Sequence, residues 1–413
     1  MSRPPNILWI VTTQWRAQAC GYAGDPNART PCLDALAVES VNYAQAVTPH
    51  PFGPFARAAL LTGVPSPENG VRDYFDPLPP TARTIAHALR ARGYATAFFG
   101  KWGAGRRDPR VPLVSEAAAQ VVVPEGERGG FECWEGFEGG FQLNNPWLHG
   151  SRLPAVEKLS GYQSDVLCER AAGWLGEQNS NAKTQAPKKS QSWFAVVSLE
   201  APHPPYDAPA AGIAPHDPRE IILPANVPLG SDAEVRARRE LAGYYAHLEA
   251  TDRALGALLR STASRVDTVV VFTSVHGDMH GAHGLFRKGW PHEESIRVPL
   301  LVRAPGEPPR RDDSPVSLLD LPELTLAKIE NRKPKIEASL ARISMPSVVA
   351  LPHQCDRAWR GLRTPTRKLV LNTDGSPWLF FDLERDPFER ENLASAPARA
   401  TEIAELRARL GAG

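Results

Sequence analysis

The chain has 413 residues, enough for two or three domains and at least one large core, which excludes a small module stapled by disulfides. Hydrophobic residues at 42% and charged residues at 23% exclude both a disordered chain and a membrane bundle. With 47 Lys and Arg against 46 Asp and Glu, the formal charge of +1 supplies no global field, so neither nucleic acid nor an acidic membrane is an expected partner.

The N-terminal residues run straight into an apolar strand with no leader pattern, and no apolar run reaches the roughly 18 residues of a membrane span. A cytoplasmic protein is the expectation. Residues 6–12 form a short β-rich apolar run, the pattern of a strand covered on both faces. Helical patterns follow at residues 30–41 and 82–92, then a strand at 95–99. Further buried strands are expected at 193–198 and 268–273, the second preceded by a helix over about 233–260 with an acidic first turn. The alternation predicts an α/β fold with a mainly parallel sheet.

Residues 178–192 are almost free of apolar side chains and read as an exposed loop. The stretch 304–315, rich in Pro and charge, is taken as the end of the large unit. Strands at 368–371 and 378–382 and an amphipathic helix at about 396–410 predict a small antiparallel subdomain. The expected division is therefore 1–310, a connecting segment 311–345, and 346–413. Cys20, Cys32, Cys133, Cys168 and Cys355 are scattered, lack metal-ligand spacing and read as reduced core thiols.

Several segments together resemble the sulfatase family of the alkaline phosphatase superfamily. They include Thr30-Pro-Cys-Leu-Asp-Ala-Leu-Ala37, Arg57-Ala-Ala-Leu-Leu-Thr-Gly63, Phe99-Gly-Lys-Trp-Gly103 and Pro202-His-Pro-Pro-Tyr206. Thr273-Ser-Val-His-Gly-Asp278, Lys288-Gly-Trp290 and Trp378-Leu-Phe-Phe-Asp-Leu-Glu-Arg-Asp-Pro387 continue the match in family order. The resemblance implies an alkaline phosphatase-like α/β fold: a mostly parallel central sheet flanked by helices, with a small C-terminal antiparallel subdomain. It also implies three chemical parts: a formylglycine made from cysteine, a divalent metal held by carboxylates, and a cradle of Lys, His and Arg.

Residue by residue, this chain departs from that pattern. The C-x-P-S-R signature is Gly53-Pro-Phe-Ala-Arg57, and glycine has nothing to oxidise. Thr13 stands where the resemblance implies a metal-ligand Asp, beside a matching Gln14, and Val275 replaces a second carboxylate ahead of His276. With no carboxylate in that set, no metal and no cofactor are expected. Gly103 replaces an acid-base histidine, whereas Arg57, Lys101, His203, His276 and Lys288 survive as a cationic cluster. Losing two carboxylates and a divalent cation together leaves the local charge unchanged, so the replacements are electrostatically coherent.

Two functions follow. The first is a pseudoenzyme on the sulfatase scaffold that holds a small sulfate, phosphate or carboxylate ligand through Arg57, Lys101, His203, Lys288 and Gln14. The alternative is a repurposed metal-independent enzyme, with His203 or His276 as acid or base, Lys101 stabilising an oxyanion and Thr13 as nucleophile. Each residue also has a plainer reading: Gly53 and Gly103 as turn glycines, the lysines as solvated charges, a histidine as a hydrogen-bonded structural group. The run from His276 through Asp278 and His280 to His283 offers imidazoles and a carboxylate of the kind that suit zinc, although all but His280 sit where the family has similar residues.

Overall fold

The computed structural model describes residues 3–184, 191–262, 267–349 and 351–411. In chain order the strands of the large sheet are β1 (Asn6–Thr12), β2 (Val41–Val47), β3 (Ala95–Lys101), β4 (Cys133–Phe137) and β5 (Trp147–Gly150). β6 (Leu153–Lys158), β7 (Trp193–Ser198), β8 (Thr268–Ser274), β9 (Leu300–Arg303) and β10 (Arg310–Ser317) complete it. They lie in the order β10-β2-β9-β8-β1-β7-β3-β4-β5-β6, and only β9 and β5 run against the rest. The mostly parallel sheet expected from the sequence is therefore present.

Alternation along β1 divides the core into two layers. Ile7, Trp9 and Val11 face one side, Leu8 and Ile10 the other, and all five are buried. The helices are α1 (Pro31–Ala37), α2 (Gly53–Thr62), α3 (Ile85–Arg90), α4 (Glu116–Ala119), α5 (Gln163–Thr184), α6 (Asp232–Thr262), α7 (Glu293–Ile296) and α8 (Leu321–Ile329). α2, α3 and α8 pack on the first face, and α1, α5 and α6 on the second. Trp9 shows how fully the centre is covered: it has no exposed surface, and its Nε1 donates to Thr325 Oγ1 of α8 at 3.1 Å. Truncating a side chain of that size in a sealed core costs about 3–5 kcal/mol.

The small sheet, β11 (Ala341–Met345), β12 (Trp359–Arg363), β13 (Arg367–Leu371) and β14 (Pro377–Asp382), is antiparallel throughout. On one face Leu362, Leu369 and Phe380 meet Ile403, Leu406 and Leu410 of α9 (Ala400–Gly411), which recur at helical spacing. The other face, through Ile343, Val370 and Phe381, joins the first core layer of the large sheet.

Four expectations need correction. The helix expected over 30–41 spans Pro31–Ala37 only, and Val41 opens β2, whose buried and half-buried residues alternate as in a strand. Residues 178–184 of the expected loop continue α5; residues 185–190 of it lie outside the described residues. Residue 310, expected to close the large unit, is the first residue of β10, which pairs with β2 and extends the large sheet to Ser317. Its Arg, Asp and Pro are the composition of a guarded edge strand rather than a linker. Cys20, Cys168 and Cys355 are buried thiols, whereas Cys32 and Cys133 are partly exposed. Among the described residues, no helix is long and apolar enough to cross a membrane.

Candidate functional site

The carboxyl ends of β1, β3, β7 and β8 point to one place, where ligands bind in open α/β sheets generally. Thr13 and Gln14 follow β1, Lys101 ends β3, His203 follows β7, and Val275 and His276 follow β8. α2 starts opposite them. Its entry is set by Phe52 in extended backbone and by Pro54 in the first turn, whose missing N–H costs nothing there; Gly63, at φ 69°, ends it. Together these segments border a cavity of about 1180 Å³. Eight of the ten residues singled out from the sequence line it: Thr13, Gly53, Arg57, Lys101, Gly103, His203, His276 and Lys288. Gln14 lies behind that wall, hydrogen-bonded to Lys288, and Val275 is wholly buried in the first core layer.

The cations are held by a chain of contacts. Lys101 Nζ meets Glu200 Oε1 at 2.6 Å, with Glu200 fully buried. Lys288 Nζ donates to Gln14 Oε1 at 2.7 Å and to His203 Nε2 at 2.9 Å. His203 Nδ1 stands 2.8 Å from Pro204 O, and a carbonyl only accepts, so Nδ1 carries the proton. The His203 ring stacks on Phe141 at 4.5 Å, and Lys101 Nζ sits 4.6 Å over the same phenyl ring. Gln14 donates to Asp278 and to the Tyr206 hydroxyl, and the hydroxyl donates to Asp278 at 2.7 Å. These bonds hold Gln14 at φ 66°, a left-handed conformation that non-glycine residues seldom adopt.

Burial and mutual repulsion lower the proton affinity of the basic groups. The Lys288 ammonium is pushed down to about 7 by burial and by Lys101, against the pull of Asp278 and Glu200. Lys101 is lowered by burial, with Glu200 opposing the shift. Burial and Lys288 drive both His203 and His276 well below the usual histidine range, so both are neutral near pH 7. Asp278 is held below the usual carboxylate range because His280 and Arg287 outweigh the cost of burying it.

Arg57 crosses the floor of the site. Its Nη1 donates to Lys101 O at 3.0 Å and Ser198 Oγ at 2.7 Å, and its Nη2 to Thr13 Oγ1 at 2.8 Å. Thr13 Oγ1 in turn donates to Leu199 O at 2.9 Å, so the hydroxyl is engaged on both sides. Burial lowers the guanidinium to about 10, which leaves it charged near neutrality. Among the buried lining atoms that find no hydrogen-bond partner among the described residues are Arg57 Nε and His276 Nε2. Gly53, by contrast, opens on space: a Cβ there would meet no described atom within 4 Å.

The zinc-like run does not converge. His280 packs against Tyr206 and Tyr244, while His283 points to Asn226. Among the described residues, the one set of three whose ligand atoms could share an ion is His283, Glu294 and Glu389, and there Lys368 already pairs with Glu389. Sequence reasoning missed Glu200, Phe141, Ser198 and Tyr206 as supports of the site. Glu200 stands three residues before His203, a spacing that could have drawn notice. Phe141 carries no sequence signal beyond the two glycines before it.

Comparison with known proteins agrees with this architecture. The family profile described as Sulfatase matches residues 5–327. An ulvan-active sulfatase of Formosa agariphila is 33% identical over 98% of this chain and 80% of its own length. A choline-sulfatase of Rhizobium meliloti is 26% identical over 98% of this chain and 85% of its own length. The solved structure of the YidJ protein of Bacteroides fragilis superposes with a TM-score of 0.81 at 24% identity, covering 99% of this chain and 95% of that one. With the sheet order, the small antiparallel sheet and the segments gathered round the cavity, these matches establish that the chain belongs to the sulfatase family.

Proposed function

We propose that this protein binds a small anionic group in the cavity between Arg57, Lys101, His203 and Lys288, and does not hydrolyse sulfate esters by the family's formylglycine and metal chemistry. The observation that carries the reading is Gly53: it begins α2 at the cavity wall and has no side chain to become an aldehyde or carry a sulfate. Supporting it, the donors left for a hard divalent cation do not fit one. Thr13 already accepts from Arg57, Gln14 Oε1 from Lys288, Gly53 has no side chain, Val275 is an apolar core residue, and His276 offers a single imidazole nitrogen where a hard cation needs several anionic oxygens. A guanidinium and an ammonium hold the oxygens that a metal would need.

Relatives act on sulfated substrates by name, as the ulvan-active and choline sulfatases do, which favours an anionic ester as the ligand class. A repurposed catalyst is the second reading, favoured by the unpartnered His276 Nε2 as a base facing the cavity. Thr13 suits the nucleophile role poorly, since its hydroxyl is engaged by Arg57 and Leu199.

The test has two arms. Aryl sulfate turnover should stay at background with or without a co-expressed formylglycine-generating enzyme. Sulfate, phosphate or acetate should raise the melting temperature beyond a chloride salt of equal ionic strength, and Lys101→Ala with Lys288→Ala should erase that excess. If the double variant responds as wild type does, the effect is general salting-out and the anion site is rejected.

A further inference from the structure

His276 lines the cavity yet has no exposed surface. Its Nδ1 stands 2.8 Å from Gly277 O, and because a carbonyl can only accept, Nδ1 holds the ring proton. Nε2 is therefore a lone pair, buried and without a donor among the described residues. Of the charged groups on this lining, Arg57, Lys101 and Lys288 can only donate, while the buried Glu138 carboxylate is paired with Arg107 at 2.7 Å. The cavity thus combines several donors, including the unpartnered Arg57 Nε, with an uncharged acceptor, His276 Nε2, that no described residue satisfies.

That mixture discriminates between oxyanions. Sulfate and the sulfonate group have no proton near neutral pH, so an oxygen placed against His276 Nε2 would set lone pair against lone pair. A hydrogen phosphate, or a phosphate ester carrying one proton, can turn its P–O–H toward Nε2 while its other oxygens accept from Arg57 and the lysines. A site built to receive a hydroxyl rejects a like-shaped ligand that lacks one, because its own buried group is then left unpaired.

Resting on the anion-binding reading above, we propose that the site selects a protonated oxyanion, hydrogen phosphate or a monoprotonated phosphate ester, over sulfate, with His276 Nε2 accepting the ligand's O–H. Gly53, on the same lining, puts no side chain into the cavity. Repulsion does the sorting, as much as attraction.

The experiment uses two probes of equal charge and similar shape: methylphosphonate as its monoanion, which carries one O–H, and methanesulfonate, which carries none. Calorimetric titration of the full chain near pH 6 should show methylphosphonate binding at least about tenfold more tightly. Inorganic phosphate against sulfate at matched ionic strength should give the same order. His276→Met should bring the two affinities within about twofold by weakening the phosphonate. Should that variant fail to fold, the wild-type comparison of the two matched probes decides alone. Equal or tighter binding of methanesulfonate to wild type overturns the selectivity and leaves the anion site standing. No saturable binding of either probe, nor of sulfate or acetate, removes both.

Discussion

Arg57 lies across the space that a side chain at residue 103 would fill. A Cβ on Gly103 would stand 2.7 Å from Arg57 Cδ and 2.8 Å from Arg57 Nε, distances that real Cβ atoms do not tolerate. Gly103 also adopts φ +59°, where any Cβ is strained. The glycine at 103 and the guanidinium course toward Thr13 thus depend on one another.

Gly103→Ala should accordingly push Arg57 off Thr13 and Ser198. The strain at positive φ and the broken bonds together should destabilise the fold by about 1–3 kcal/mol, measured by urea denaturation. Anion affinity should fall as well, because Arg57 no longer faces the cavity in the same place. A variant with unchanged midpoint and unchanged affinity would show that Arg57 has other positions open to it.

The Lys101–Glu200 pair gives a second prediction. Both groups are buried, so removing Glu200 leaves an ammonium without its counter-charge in a wall that already holds Arg57. Glu200→Ala should cost about 3–5 kcal/mol of stability, whereas Lys101→Met with Glu200→Leu should recover much of that loss. Equal losses in the single and double variants would mean that packing, rather than charge, governs the site.

Calcium titration provides a third. With Thr13 and Gln14 engaged by Arg57 and Lys288, calcium at millimolar concentration should give no saturable heat and no change in melting temperature. Micromolar binding that Thr13→Ala abolishes would restore the metal to the site and remove the argument from the donor set.

How far these relationships could be read in the sequence depends on how each one is encoded. The strand at 193–198, the strand that ends at Lys101 and the loops carrying His203 and Lys288 are written in local runs whose type and order survive translation into space. β10 escaped because an edge strand is dressed in charge and proline, the same composition as a linker. The link between Gly103 and Arg57 spans two segments 46 residues apart and exists only where those segments meet, so no local pattern records it. Phe141 is similar: a lone aromatic after two glycines says nothing of the histidine and lysine that it will stack against. Hydrogen-bond partners such as Ser198 are equally silent, since a serine ending an apolar strand is ordinarily just its last residue.

The pH dependence of anion binding follows from Lys288. Its ammonium titrates at about 7 in the fold, against 10.5 for an unburied lysine. Lys101, Asp278, Glu200 and Arg287 act on it electrically, and His203 and Gln14 accept its hydrogen bonds. Sulfate keeps its charge throughout this range, so its affinity should fall as pH rises from 6 to 8 while Lys288 loses its proton. By linkage, sulfate binding near pH 7.5 should draw a proton from solution, seen as a binding heat that changes with the ionisation enthalpy of the buffer. The stability of the free protein carries the opposite trend. Between about 7 and 10.5 the unfolded chain holds the Lys288 proton and the folded chain does not, so this residue's contribution makes stability rise with pH across that window; below 7 the full cost of the buried charge remains. Lys288→Met should remove both effects, giving flat sulfate affinity from pH 6 to 8 and a shallower rise of melting temperature between pH 7 and 9 than wild type. If wild type and Lys288→Met keep parallel profiles in both measurements, the titrating group lies elsewhere, and Lys288 holds its charge through the neutral range.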